Sequence, residues 1–346
     1  MRAAFLRQAA SCRALGSDFT ARLMRLCAAR LGGDTPAGAR ILNWDGPPDM
    51  VGDSVPLRLA SGLHALALSG ACPAVAAVWS DPGAADDARI WAAVEVALAD
   101  HQPALLAALD NPPQTNEVRR AAALIAAGHW LTAATGLPIG LAELGAAAGL
   151  NLHWDRFALQ AGGLTLGPAD APVRLAPEWR GAPATLAPPR VIARAGVDLR
   201  PLDPARDRLR ALSYIWPDQR DRLARTAAAL DLAAAHPVRV ARGDAGAWLA
   251  ERLGQALPGA LRLVYHTIAW QYFPRATRLR ATRALARAGA AARPDAPLAR
   301  LGMEADEAGP GAALTLDLWA GRARRRIALG RIDFHGRWVD WSAPAP

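Results

Sequence analysis

Residues 139 to 151 read Ile139-Gly140-Leu141-Ala142-Glu143-Leu144-Gly145-Ala146-Ala147-Ala148-Gly149-Leu150-Asn151. A short apolar run, expected as a strand, closes on a carboxylate and passes through a loop of small residues into an expected helix. Gly and Ala leave the backbone of such a turn open to a ligand, which points to a nucleotide or nucleoside site at the end of a strand. A dinucleotide fingerprint, G-x-G-x-x-G, needs its second glycine beneath the pyrophosphate. Ala147 and Leu150 stand at the second and third glycine positions, which disfavours a nicotinamide oxidoreductase.

The pattern on either side of this segment differs. Before Pro138 the apolar spacing is helical, over residues 5–31, 57–79 and 90–109. A further helix is expected from about Asn116, with Glu117 in its first turn, to Thr135, where Gly136 and Pro138 stop it. From Ile139 onward, strands alternate with helices. The expected strands are 191–199, reaching Asp198; 238–241, closing near Asp244; 261–266, ending on His266; and 298–303, 313–319 and 327–334 in the tail. Residues 156–190, rich in Gly and Pro, read as an inserted loop or hairpin. The expected organisation is an all-helical N-terminal domain over 1–137 followed by an α/β domain over 138–346. Its sheet should be mainly parallel, with an antiparallel strand near the C-terminus.

Right-handed crossovers bring every loop that follows a parallel strand to one edge of the sheet. Glu143, Asp198, Asp244 and His266 should therefore converge. A ribose diol and an exocyclic amine need acceptors at fixed positions, and strand-end carboxylates supply them. Asp198 suits the ribose hydroxyls and Asp244 the adenine edge, while Glu143 holds the loop and favours a cationic ligand. Each acid also has a plain reading as a helix N-cap. Glu143 and Asp198 are 198 − 143 = 55 residues apart, against about 20 in a bare unit of this kind. The 156–190 insertion has to supply the excess.

The order acid and glycine loop, then acid, then acid resembles that of class I S-adenosylmethionine-dependent methyltransferases. Six separated stretches resemble the bacterial domain of unknown function 2332: Gln114-Thr115-Asn116-Glu117-Val118-Arg119-Arg120, Glu143 through Leu152, Gly196 through Pro204, Trp216-Pro217-Asp218-Gln219, Tyr265 through Tyr272, and His335-Gly336-Arg337-Trp338. The resemblance implies a Rossmann-like class I methyltransferase fold behind a helical N-terminal region, and an architecture rather than a substrate. On that basis S-adenosylmethionine is the expected cofactor. Glu143, Gly145, Ala147, Gly149, Asn151, Asp198 and Asp244 are its expected binding residues, with Asn116 and Arg119 placed for the methionine carboxylate. Tyr265, His266 and Gln271 follow the fourth strand, where methyltransferases place substrate-facing groups, and His266 is the candidate general base.

Composition narrows the classes further. The formal charge is +9, yet there is no lysine: all 40 basic residues are arginine, the mark of GC-rich coding rather than of a nucleic-acid footprint. Lysine chemistry, Schiff bases included, is excluded. The arginines of residues 275–287 read as a solvated helix face, so nucleic acid is not an expected partner. Cys12, Cys27 and Cys72 are widely spaced and form no C-x-x-C, and His153 and Asp155 are too close in sequence to make a metal site, so no metal is expected. A cytoplasmic location follows, since the arginine-studded N-terminus lacks a signal sequence. The uncharged runs 59–80 and 121–142 read as buried helices rather than membrane spans. The expected function is S-adenosylmethionine-dependent methyl transfer to a small or medium-sized substrate. The alternative is a non-catalytic protein that keeps the methyltransferase fold for ligand binding or as a scaffold.

Overall fold

The computed structural model of the chain describes every residue except 51, 256 and 322. It divides into two compact units, Met1–Thr115 with Arg206–Ala227, and Asn116–Ala205 with Ala228–Pro346.

The first unit is helical. It contains α1 (Arg2–Ala14), α2 (Asp18–Arg30), α3 (Pro36–Leu42), α4 (Val55–Leu68), α5 (Pro73–Trp79), α6 (Asp87–Asp100) and α7 (Gln102–Leu109). The starts have local causes. Ser17, Thr35 and Asp86 cap α2, α3 and α6 through side-chain oxygens, and proline sits in the first turn of α3, α4, α5 and α7. Phe5, Phe19, Leu23, Met24, Leu59, Leu63 and Val94 make its core. The next helix, α8 (Ala121–Thr135), belongs to the second unit, while α9 (Arg208–Ser213) and the first turns of α10 (Arg220–Ala235) return to the first. That return is anchored. Asp218 accepts from the Ser17 hydroxyl at 2.6 Å and the Phe19 N–H at 3.1 Å, and buried His64 on α4 hydrogen-bonds the backbone of Ile215 and Ser213.

In the second unit α8 is buried over most of its length, packing on the turn after the first strand and on the inserted sheet. The sequence-based division at 137/138 separates this helix from the sheet; by contacts the division falls at Thr115/Asn116. Helical periodicity marks a helix but not the neighbour it packs against, and α8, apolar on every side, needed a second layer to cover it.

The strands are β1 (Ile139–Leu144), β2 (Ala158–Ala161), β3 (Leu164–Leu166), β4 (Arg174–Leu175), β5 (Glu178–Gly181), β6 (Val191–Asp198), β7 (Val240–Arg242), β8 (Leu261–Thr267), β9 (Leu298–Glu304), β10 (Ala312–Trp319), β11 (Arg324–Ile332) and β12 (Trp338–Trp341). Nine of them form one sheet, ordered β5-β12-β11-β10-β9-β8-β1-β6-β7. From β7 to β9 every neighbouring pair is parallel. The fold is thus α/β with a mostly parallel sheet and N-terminal helices, and among the described residues no strand precedes Ile139. The succession β1, β6, β7 runs outward on one side, then β8 and β9 on the other. The order switches between β1 and β8, and open α/β sheets bind ligands beyond the carboxyl ends of the strands at such a switch. All six residues of β1 are buried, as a central parallel strand requires. Helices α11 (Ala245–Arg252) and α12 (Arg275–Ala290) follow β7 and β8.

Three local expectations change. The loop after β1 leads into a 3-10 turn, Leu150–Arg156, kinked at His153, and not into an α-helix. Its cause is the Asp155–Arg194 pair, doubly bonded at 2.6 and 2.7 Å, with Arg194 also donating to the Leu152 carbonyl at 2.7 Å. These bonds draw the turn onto β6. The insertion holds the β2–β3 hairpin, with β4 parallel to β2, while β5 joins the edge of the main sheet beside β12. The C-terminal part has three antiparallel pairings, β9–β10, β10–β11 and β11–β12, rather than one antiparallel strand. With no crossover helices between them, successive strands can only pair antiparallel. Among the described residues no single helix is long and apolar enough to cross a membrane; only the pair α4 and α5 passes by composition, bent by 99°.

Candidate functional site

At the carboxyl edge, Gly145, Ala147 and Gly149 all take left-handed conformations, with φ of 74°, 50° and 70°. Ala147 is the costly one, because a Cβ crowds the backbone there. The end of β6 holds the loop in place. Gly145 and Ala146 N–H donate to the Val197 carbonyl at 2.9 and 3.1 Å. The carboxylate of Asp198 accepts from Ala147 N–H through Oδ2 and from Arg200 N–H through Oδ1, both at 2.9 Å. Asp198 is half-buried. It therefore ties the loop to the second parallel strand from the position expected of a ribose ligand. A Cβ added at Gly145 would come within 2.7 Å of Ala269 Cβ, so close packing of the segment after β8 also requires this glycine.

Beneath the loop lies a buried polar group. Glu143 is paired in register with Tyr265, whose hydroxyl donates to the Asn151 carbonyl at 3.1 Å and lies 3.5 Å from Glu143 Oε2. Burial pushes the Glu143 carboxyl well above the usual carboxylate range; nearby Asp198 adds to this, and the Tyr265 hydroxyl and Arg120 oppose it. Glu143, expected from the sequence to hold the loop and favour a cationic ligand, is thus a buried acid held toward its neutral form. Tyr265 is likewise fully buried, its hydroxyl pushed up by burial and by Glu143, and it braces the loop through the Asn151 carbonyl.

A second strap comes from the segment before α8. Asn116 Oδ1 accepts from Leu150 N–H at 3.1 Å, and Asn151 Nδ2 donates to the Glu117 carbonyl at 3.2 Å. Arg120 donates to the Thr267 carbonyl at 3.0 Å and the Phe334 carbonyl at 2.9 Å. His335 Nδ1 lies 3.6 Å from Glu117 Oε2. Arg119, chosen from the sequence for a ligand carboxylate, has a half-buried side chain with no partner among the described residues, whereas Arg120 is spent on holding two loops.

His266 is the clearest departure. On β9, opposite it in register, stands Gly302, and the period of two puts Arg300 and Glu304 on the same face. A Cβ at Gly302 would sit 3.2 Å from His266 Cε1, so the glycine makes room for the ring. His266 Nδ1 is 2.7 Å from Glu304 Oε1, and Nε2 is 2.9 Å from Arg300 Nη2. A guanidinium only donates, so Nε2 accepts and the proton sits on Nδ1. Burial and Arg300 lower the pKa of His266 against the opposing pull of Glu304. The ring also stacks on Trp270 at 4.9 Å, with the Arg300 guanidinium 4.6 Å from the same indole. The lone pair a general base needs is occupied.

Glu304, which the sequence reading passed over, collects three donors on Oε1: His266 Nδ1–H and the N–H groups of Ala269 and Trp270, the latter two at 3.0 Å. Burial raises its pKa, but those three hydrogen bonds outweigh burial and hold it below the usual range. Its signal was present, since it ends the fifth parallel strand just as Asp198 ends the second. Gln271 lies exposed on the 3-10 turn Trp270–Tyr272 after β8, whereas His266 and Tyr265 are buried. Asp244 caps α11 by accepting from Ala247 N–H at 2.8 Å, and also meets the Thr277 hydroxyl and Arg280. Burial is outweighed by these donors, and its pKa is lowered. It thus serves as the N-cap of α11. Among the described residues no group of three His, Cys, Asp or Glu side chains is placed to hold a metal ion.

Asp198 and the left-handed loop meet at the carboxyl edge of the sheet, while Asp244 accepts from Ala247 N–H, the Thr277 hydroxyl and Arg280. No curated protein and no solved structure matches the chain. Residues 2–341 match the family described as "Uncharacterized protein conserved in bacteria (DUF2332)". That span takes in the loop after β1, the Asp218 anchor and the turn at His335–Trp338, and the chain belongs to this bacterial family.

Proposed function

We propose that the carboxyl edge of the parallel sheet binds S-adenosylmethionine, and that the protein is a methyltransferase acting on a small or medium-sized molecule. The observation that carries this reading is the bond from Ala147 N–H to Asp198 Oδ2, between the ends of the adjacent parallel strands β1 and β6. It joins a left-handed glycine loop on the first parallel strand to an acid on the second. That supports a Rossmann-like methyltransferase arrangement, with Asp198 at the end of the second parallel strand as the acid for the ribose hydroxyls. Arg119 is the residue for the methionine carboxylate, and Asn116 and Asn151 fix the loop from below. Bound there, the cofactor supplies an electrophilic methyl group on sulfur. Water is kept from the inner side of the site by the Glu143–Tyr265–Asn151 group, which is fully buried. No role is assigned to Asp244.

One observation favours the second reading, a ligand-binding protein without turnover. His266 has both ring nitrogens engaged, so proton removal from an acceptor is left to the acceptor's own acidity or to solvent. Ultraviolet cross-linking with methyl-labelled S-adenosylmethionine, followed by peptide mapping, tests the site. Label on residues 143–151 or 265–273 supports it; label confined to other segments contradicts it. A metabolite screen for release of S-adenosylhomocysteine then separates enzyme from binder.

A further inference from the structure

A groove of ≈ 480 Å³ runs between α11 and α12, lined by Ala250, Ala276, Leu279, Arg280, Arg283, Ala284 and Arg287. It is independent of the adenosyl reading. Arg280, Arg283 and Arg287 follow one another at three and four residues, so they form a single row along α12. The helix carries five arginines and no acidic residue. Arg280 meets Asp244 at 3.1 Å, but Arg283 and Arg287 are exposed and have no carboxylate partner among the described residues. Like charges at this spacing repel, and an anion laid along the row would relieve that repulsion.

Size and lining choose the anion. The row extends over seven residue steps, about 10 Å of helix, enough for two or three consecutive phosphates. The volume lies within the range of about 300–1,000 Å³ usual for small-molecule sites, and the row is short for a nucleic-acid track. Planar guanidinium groups suit phosphate oxygens through paired hydrogen bonds. Leu279 is 46% exposed and, with the three alanines, gives the groove an apolar wall. We propose that this groove binds a small ligand carrying two or more phosphate groups, its phosphates on Arg280, Arg283 and Arg287 and its apolar part against Leu279.

The test is calorimetric titration of the full chain with inorganic tripolyphosphate at low ionic strength. Three proteins are compared: wild type, Arg283→Ala/Arg287→Ala, and Arg275→Ala/Arg278→Ala, the last removing two charges of α12 outside the groove. Alanine keeps the helix in both variants. The expected result is saturable one-to-one binding by wild type, about tenfold or more weaker in the groove variant because two charge-assisted contacts are gone. The control variant should stay close to wild type. Three results overturn the proposal: no saturable binding, equal weakening in both variants (diffuse attraction by net charge), or groove-dependent binding of a single-stranded RNA oligonucleotide without binding of tripolyphosphate. S-adenosylmethionine affinity should be unaltered in the groove variant, which keeps this test separate from that of the adenosyl site.

Discussion

Glu304 Oε1 lies 2.7 Å from His266 Nδ1, on the strand next to it and on the same face of the sheet. Two backbone N–H groups of the following segment converge on the same oxygen, so one carboxylate sets both the tautomer of the histidine and the path of residues 267–270. In that path Ile268 takes a left-handed conformation at φ 52°. A β-branched residue is held there only when its surroundings over-determine it.

Glu304→Ala strands three donors at once. Each loses about 1–3 kcal/mol if it remains buried without a partner, and partial solvation lowers the total. A loss of about 2–4 kcal/mol in urea unfolding is expected. A change below about 0.5 kcal/mol would mean that water replaces the carboxylate without cost.

The pH profile should carry the signature of buried neutral histidines. Burial lowers His64, His129 and His153 each to about 4. Their unfolded-state value is near 6.5, so between pH 6.5 and 4 the unfolded chain binds the extra protons. Stability is therefore present above pH 6.5 and is lost as the pH falls toward 4, by about 1–2 kcal/mol per histidine between pH 7 and 5. Urea midpoints at several pH values measure this. A flat profile over that interval contradicts the burial of these rings as neutral groups.

Glu143 should show the opposite slope. Its folded-state pKa is raised, so the folded chain keeps the proton longer, and its contribution is lost as the pH rises through the folded value. Glu143→Gln removes the ionisation and keeps the shape. The variant's melting temperature relative to wild type should climb from pH 5 to pH 8. A constant difference would show that Glu143 does not titrate in this window.

Asp218 anchors the return segment to the start of α2 and is the acid of the Trp216–Gln219 stretch. Asp218→Ala frees the Ser17 hydroxyl and Phe19 N–H, at a cost of about 1–2 kcal/mol, the usual range for a lost cap. Limited proteolysis should then cut first within residues 206–219. An unchanged cleavage pattern and midpoint would deny the anchor.

The parallel strands were legible because each is an apolar run bounded by turn residues, and Asp198 was legible because it ends one of them. Arg300, Glu304 and Arg120 escaped notice for a physical reason. Their partners lie 34, 38 and 147 residues away: strand register brings Arg300 and Glu304 to His266 and the 3-10 turn before α8 brings Arg120 to Thr267, so a strand-end position such as that of Glu304 does not by itself reveal the pairing. The same cause hid the partners of His266. A histidine at a strand end looks available until the neighbouring strand is in place, and Gly302, which admits its ring, is silent as a sequence signal. The insertion was visible as Gly- and Pro-rich chain, but the membership of β5 in the main sheet was not, since its partner β12 is the last strand.

The adenosyl site is tested most directly by isothermal titration of the full chain with S-adenosylmethionine, S-adenosylhomocysteine and NAD in parallel, repeated on Asp198→Ala. The account predicts one-to-one binding of at least one of the two adenosyl compounds, none of NAD, and a loss of about 1–3 kcal/mol in the variant, the cost of unpaired polar groups at the ribose. No binding of either adenosyl compound, tighter binding of NAD, or unchanged affinity in a folded Asp198→Ala protein would contradict it.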